Sequence, residues 1–158
     1  EKRVYEGNPD VQPKLGDYKF ILKRYLSPDL DTTLSETLKN NGLIASDGEF
    51  LTKGLSDAVK RICHRNNLGA HIYLDKIPIA TQTFSMADEI GMDATTAALN
   101  GGDDMLLLYV IPLKLYETLS KEIPALDIIG HLTNSGSGAM LITPDGSPIP
   151  LKAQGWSD

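Results

Sequence analysis

Two glycines and two carboxylates stand together at Gly101-Gly102-Asp103-Asp104, between Ala97-Ala98-Leu99-Asn100 and the apolar run Met105-Leu106-Leu107-Leu108-Tyr109-Val110-Ile111. Glycine lets a backbone approach a ligand or take a positive φ, and adjacent carboxylates at the mouth of a strand can hold a cation or a ligand's donor groups. The same residues also suit plain connection, with a glycine pair ending a helix and an aspartate pair opening a strand. Other candidate chemistries are weaker. Gly136-Ser137-Gly138 lacks both the Gly-Lys-Ser/Thr of a phosphate loop and the strand-to-helix setting of a dinucleotide fingerprint, so it is expected to connect the strands of a hairpin. His64, His71 and His131 fall on different elements, without metal-binding neighbours at helical or hairpin spacing, and are expected to be structural or surface residues. Cys63 lies on the apolar side of a helix, where a thiol behaves as a small hydrophobe. No Gly-x-Ser-x-Gly elbow is present to support a hydrolase triad. Trp156, the sole tryptophan, follows Gly155, and its ring can either pack on the body or swing over a ligand pocket.

The elements that must position these residues follow from periodicity. Residues 1–16, with Gly7-Asn8-Pro9-Asp10 and Pro13, read as a connector from a preceding domain, and 17–158 as one domain. Helices are expected over Asp17–Leu26, Asp29–Asn41, Gln82–Ile90, Ala94–Leu99 and Leu113–Glu122. The clearest helix carries Leu55, Ala58, Val59, Ile62 and Cys63 at i, i+3, i+4, i+7 and i+8, with Thr52 as its cap and Gly69 as its stop. Strands are expected at Ala70–Leu74, Met105–Pro112, Asp127–Leu132, Ala139–Thr143 and Ile149–Leu151, with the Met105 strand central in one sheet. Helices and strands mix without a βαβ period, which predicts an α+β fold with a mixed, largely antiparallel sheet flanked by helices.

Composition narrows the function classes. The chain has 158 residues, of which 41% are hydrophobic and 23% charged, enough for one domain with a core. A net charge of −6 gives no basic excess for displacing counterions from nucleic-acid phosphates. The longest apolar run, Met105 to Leu113, is broken by Pro112 and too short for a bilayer, and the charged start Glu1-Lys2-Arg3 has no signal-like core after it. One cysteine permits no internal disulfide, and a cytoplasmic setting is expected. The start without methionine suggests a piece of something longer.

Read together, the motifs carry a resemblance. Gly54-Leu55 opening a helix, Gly69-Ala70-His71-Ile72, Leu74-Asp75-Lys76-Ile77-Pro78-Ile79, Leu99-Asn100-Gly101-Gly102-Asp103-Asp104, Ile129-Gly130-His131-Leu132 and Gly155-Trp156 occur in an order that resembles the C-terminal domain of thiamine-monophosphate kinase. That family belongs to the superfamily of aminoimidazole ribonucleotide synthase, selenophosphate synthetase and a hydrogenase maturation factor. The resemblance covers roughly residues 50 to 158. It implies ATP-dependent, Mg2+-assisted phosphorylation of thiamine monophosphate to thiamine diphosphate in the parent protein. It also implies a missing N-terminal nucleotide-binding domain, through which the parent forms a homodimer. The candidate substrate or phosphate contacts are Lys53, Gly54, Gly101, Gly102, Asp103, Asp104 and Trp156.

Two departures qualify what is implied. The family's helix-opening motif is Asp-Ile-Ser-Asp-Gly-Leu, whose second Asp helps hold magnesium, whereas this chain has Phe50-Leu51-Thr52-Lys53-Gly54-Leu55. Ser46-Asp47-Gly48 has a similar composition but the wrong spacing. The acidic turn usually continues Tyr-Glu-Leu, where this chain has Met105-Leu106. No catalytic residue or metal ligand is therefore assigned. Two functions remain: a kinase domain incomplete by itself, or a degenerate paralogue acting as a phosphate-ligand binding or regulatory module, with Lys53 at a helix N-terminus as an anion site.

Overall fold

The computed structural model describes residues 15–27, 33–40, 42, 45–103, 105–123 and 126–156. A 3-10 turn at Leu15–Tyr18 leads into helix α1 (Lys19–Leu26), followed by α2 (Leu34–Asn40), strand β1 (Asp47–Phe50), α3 (Leu55–Asn66) and β2 (Leu68–Tyr73). After these come α4 (Thr81–Glu89), α5 (Ala94–Asn100), β3 (Leu107–Val110), α6 (Tyr116–Glu122), β4 (Gly130–Asn134), β5 (Ala139–Ile142) and β6 (Pro148–Pro150). The fold is α+β: helices flank a four-stranded sheet of order β4-β2-β5-β6 and a two-stranded ribbon, β1-β3. The β1-β3, β2-β4 and β5-β6 pairs are antiparallel, and β2-β5 is parallel. Among the described residues no helix is long and apolar enough to cross a membrane.

Helix α3 is the body's axis. Its stripe of Leu55, Ala58, Val59 and Cys63 packs with Ala70 and Ile72 of β2, Leu141 of β5, and Leu51, Leu99 and Leu151. Ile62 on the same helix is only 2% exposed, and burying one such side chain favours folding by about 1.5–3 kcal/mol. The helix stops at Asn67, whose left-handed backbone (φ 51°, ψ 50°) turns its N–H back to the Cys63 and His64 carbonyls. The expected stop, Gly69, instead lies inside β2, and Asn67 supplies the turn.

Three further expectations are corrected. Ser135–Ser137 does not close a hairpin: it carries the chain across the end of β2, where Ala70 donates its N–H to the Gly138 carbonyl, and β4 and β5 flank β2 on its two sides. The central place goes to the strand whose Ala70 and Ile72 are among the most buried residues. The Met105 strand is not central in a sheet either. Its ordered part, β3, pairs with β1, and its run of half-buried residues serves two clusters, with Leu108 in the α3 core and Tyr109 beside Leu38 and Ile123. Finally, α3 is not capped by Thr52. Gly54 is the N-cap and no side chain caps it.

The short, charged β1 is absent from the periodicity reading, and ion pairing along α3 holds it. The Arg65 guanidinium donates to both Asp47 oxygens, at 2.7 and 3.1 Å, and to Glu49 at 3.0 Å. Asn66 Nδ2 donates to Asp47 at 2.6 Å, while Arg61 stands 3.6 Å from Glu49 and 2.8 Å from Asp57. The Arg65 and Asn66 donors hold the Asp47 carboxyl down to about 2, from an ordinary 3.8. A carboxylate with a lowered folded-state pKa stabilises fully above its unfolded value, and that contribution is lost as pH falls through the folded one. Thermal melts between pH 4 and pH 2 should therefore lose midpoint more steeply in the wild type than in Arg65→Ala; parallel slopes would remove the ladder from the account.

Candidate functional site

The two glycine motifs meet backbone to backbone at the start of α3. Beyond β1, Leu51 donates its N–H to the Leu106 carbonyl at 3.0 Å, and Asp103 donates to the Thr52 carbonyl at 3.2 Å, so Leu106 and Asp103 lie against Leu51 and Thr52. Gly54 then turns the chain with φ 95° and ψ 168°, a region open essentially to glycine alone. A Cβ on Gly54 would lie 2.7 Å from the Leu99 carbonyl oxygen and 2.8 Å from that of Gly101; one on Gly102 would lie 2.6 Å from the Thr52 carbonyl oxygen. Each motif needs glycine because the other's backbone occupies the space. Asp103 (φ 61°) and Met105 (φ 53°), both between α5 and β3, also take left-handed conformations.

The junction unites Lys53, Gly54, Gly101, Gly102 and Asp103; Asp104 lies outside the described residues. Lys53, Gly102 and Asp103 are exposed, Gly54 is buried and Gly101 half-buried. Lys53 has no ion-pair partner among the described residues. The α3 N-terminus just beyond it brings a partial positive charge to the same edge.

Trp156 sits farther along α3. Its indole N–H donates to Asp57 Oδ1 at 2.8 Å, its ring meets His64 edge-on at 6.0 Å between centroids, and Lys60 Nζ stands 5.9 Å from the ring centre. Asp57, 5% exposed, therefore receives donors from both Trp156 and Arg61. The Asp57/Arg61 pair was legible as an i, i+4 spacing on a helix; its indole partner, 99 residues away, was not. Ser56, fully buried in the first turn, has no hydrogen-bond partner among the described residues. Burial raises the Cys63 thiol pKa, in keeping with a packing role.

Among the described residues of the junction the carboxylate is that of Asp103, which shares the edge with the Lys53 ammonium. Mg2+ takes oxygen ligands, usually one or two carboxylates with water and phosphate oxygens, and here an exposed lysine precedes Gly54. Among the described residues no three His, Cys, Asp or Glu side chains gather to hold a metal. Two of the expected surface histidines do meet: His71 of β2 faces His131 of β4 across the sheet.

Comparison with known proteins gives this geometry its context. No family model matches the chain. A Methanocaldococcus jannaschii protein described as a hydrogenase expression/formation protein is 32% identical over an alignment of 146 residues that covers 85% of this chain and 43% of that protein. Thiamine-monophosphate kinase of Leptospira interrogans is 29% identical over 119 residues, 74% of this chain and 35% of the enzyme. The crystal structure of thiamine-monophosphate kinase from Stenotrophomonas maltophilia superposes with a TM-score of 0.69 at 25% identity, over 93% of this chain and 46% of that one. The chain is a domain like the C-terminal domain of thiamine-monophosphate kinase. A ThiL structure complexed with AMPPCP and TMP shares the fold, with a TM-score of 0.62 at 20% identity over 94% of this chain and 43% of that one. So does Escherichia coli HypE, a hydrogenase maturation protein, with a TM-score of 0.64 at 18% identity over 77% of this chain and 39% of that one. The chain spans less than half the length of each of these relatives.

The junction's energetic weight can be read by adding one methyl group. Gly54→Ala places a Cβ against two carbonyl oxygens in a glycine-only conformation and should destabilise the chain by on the order of 3 kcal/mol in urea denaturation. A loss within experimental error of zero would show that the two segments part without cost.

Proposed function

We propose that this chain is the substrate-side domain of an ATP-dependent small-molecule kinase related to thiamine-monophosphate kinase, and that a phosphate ester such as thiamine monophosphate meets it at the Lys53–Gly54 and Gly101–Asp103 junction. The observation that carries this reading is the exposed Lys53, without an ion-pair partner among the described residues, beside the first turn of α3 at the place where the two glycine motifs touch. A lysine ammonium gives a compact charge with three donors, and a helix start adds unpaired amides, a combination that suits a phosphate. The likeness to kinases, one of them complexed with AMPPCP and TMP, supports the choice of ligand. Phosphoryl transfer also needs the charge of nucleotide phosphates neutralised, usually by metal ions. On this reading ATP and Mg2+ are held chiefly outside residues 17–158, by an N-terminal domain from which residues 1–16 lead, in a parent protein that dimerises through that domain.

A second reading has its own support. Lys53 replaces an acid of the resembled motif, and the M. jannaschii relative is described as a hydrogenase expression/formation protein rather than a thiamine kinase. A binding or regulatory module that keeps the phosphate-ligand edge without kinase chemistry accounts for both. Two measurements divide the readings. Calorimetric titration with thiamine monophosphate and with inorganic phosphate should show binding that Lys53→Ala weakens about tenfold, the equivalent of roughly 1.4 kcal/mol; equal affinity in the two proteins would remove the anion site. ATP consumption by the full-length protein with thiamine monophosphate and Mg2+ supports the kinase, whereas binding without turnover supports the module.

A further inference from the structure

The two outer strands of the β4-β2-β5-β6 sheet end it differently. Thr143 donates its N–H to the Ser147 carbonyl and Leu151 donates to Ala139, so Ser147, Ile149 and Leu151 turn their peptide groups toward β5. Pro148 and Pro150 fall at the alternate positions of β6, where an N–H would point outward, and proline has none. That edge is closed. At the other edge Tyr73 of β2 donates to the Ile129 carbonyl, so Ile129, His131 and Thr133 turn toward β2 while Gly130, Leu132 and Asn134 turn away. Ala70, opposite Leu132, agrees with this alternation by donating to Gly138 on the β5 side. Gly130, Leu132 and Asn134 all keep their N–H groups, and among the described residues only β2 pairs with β4. Folded proteins blunt such an edge with proline, charge or a bulge. Gly130–Asn134 contains no Pro, Lys, Arg, Asp or Glu, and Ile128 just before it is 41% exposed.

We propose that the β4 edge pairs with the β4 edge of a second copy of this chain, antiparallel about a two-fold axis at Leu132, joining the two sheets into one. With Leu132 opposite Leu132 and Gly130 opposite Asn134, each outward N–H of one copy meets an outward carbonyl of the other. The strand complements itself, because its outward positions are evenly spaced about Leu132 and no like charges stand opposite each other. His131 falls opposite Thr133, on the face away from α3. Sliding by two residues one way sets His131 against His131, and sliding the other way carries Gly130 past the end of the facing strand. The axis stands perpendicular to the sheet, so both α3 helices lie on one side and the contact closes as an isologous dimer. A second copy also brings its strand already ordered, whereas a loose peptide would first lose its conformational freedom. The contact is independent of the Lys53 edge and of any dimer made by an N-terminal domain.

Sedimentation equilibrium of the intact 158-residue chain should show monomer and dimer in exchange, and the Leu132 amide should exchange more slowly with deuterium as the dimer fraction rises. Asn134→Pro is the matched variant. Asn134 already has φ −65°, the angle a proline ring fixes, and its N–H points away from β2, so the substitution removes outward hydrogen bonds and keeps the fold. It should weaken the dimer about tenfold and leave the circular dichroism spectrum unchanged. A chain that stays monomeric with a fast-exchanging Leu132 amide would overturn the contact. So would Asn134→Pro dimerising at wild-type strength, which places the interface elsewhere. Protection of Leu132 that does not change with concentration would also overturn it, since another segment of the same chain then covers the edge.

Discussion

Helix α3 can begin only where two backbones lie closer than any side chain permits. Gly54 has the carbonyl oxygens of Leu99 and Gly101 where a Cβ would be, and Gly102 has that of Thr52. This contact sets the direction in which α3 leaves the β1-β3 ribbon. The direction of α3 in turn decides which residues face the sheet and which face Trp156. Its apolar stripe reaches β2 and β5, while Asp57, Arg61 and Arg65 align on the side that meets the indole and the carboxylates of β1. Stability and the candidate ligand edge thus depend on the same few peptide groups.

This dependence explains why the acidic turn marks the fold more firmly than it marks a reaction. Glycines at 54, 101 and 102 are required by packing alone, whatever ligand is bound. The chemistry rests on side chains that packing leaves free to vary, and here the key position carries Lys53 in place of an acid. On the proposed reading, the domain keeps a phosphate-binding edge that is directly cationic rather than metal-bridged. The chain is similar both to thiamine-monophosphate kinase and to a hydrogenase expression/formation protein, so the fold by itself names no reaction.

The sequence revealed local periodicity and the glycine motifs, but not the residues that cap α3. Five apolar positions at helical spacing identified α3, and the glycine motifs identified both sides of the junction. Their mutual contact was hidden because it joins residues about 50 apart through backbone atoms that no side-chain pattern reports. Strand β1 escaped for a similar reason: Asp47-Gly48-Glu49-Phe50 has little β propensity, and its stability comes from Arg65 and Asn66, supplied by a helix. The hairpin expectation for Ser135–Ser137 failed because proximity in sequence favoured pairing β4 with β5, whereas the buried Ala70 and Ile72 gave β2 the place between them. The His71–His131 pair was missed because its spacing is set by cross-strand register, not by a turn or a helix repeat.

Amide hydrogen exchange at Asp103 tests the junction most directly. Its N–H lies on an exposed loop residue, yet donates to the Thr52 carbonyl at 3.2 Å. If that contact anchors α3, the Asp103 amide exchanges far more slowly than a free loop amide and opens together with the first turn of the helix. Exchange at the rate of an unstructured peptide, with α3 still protected, would contradict the account.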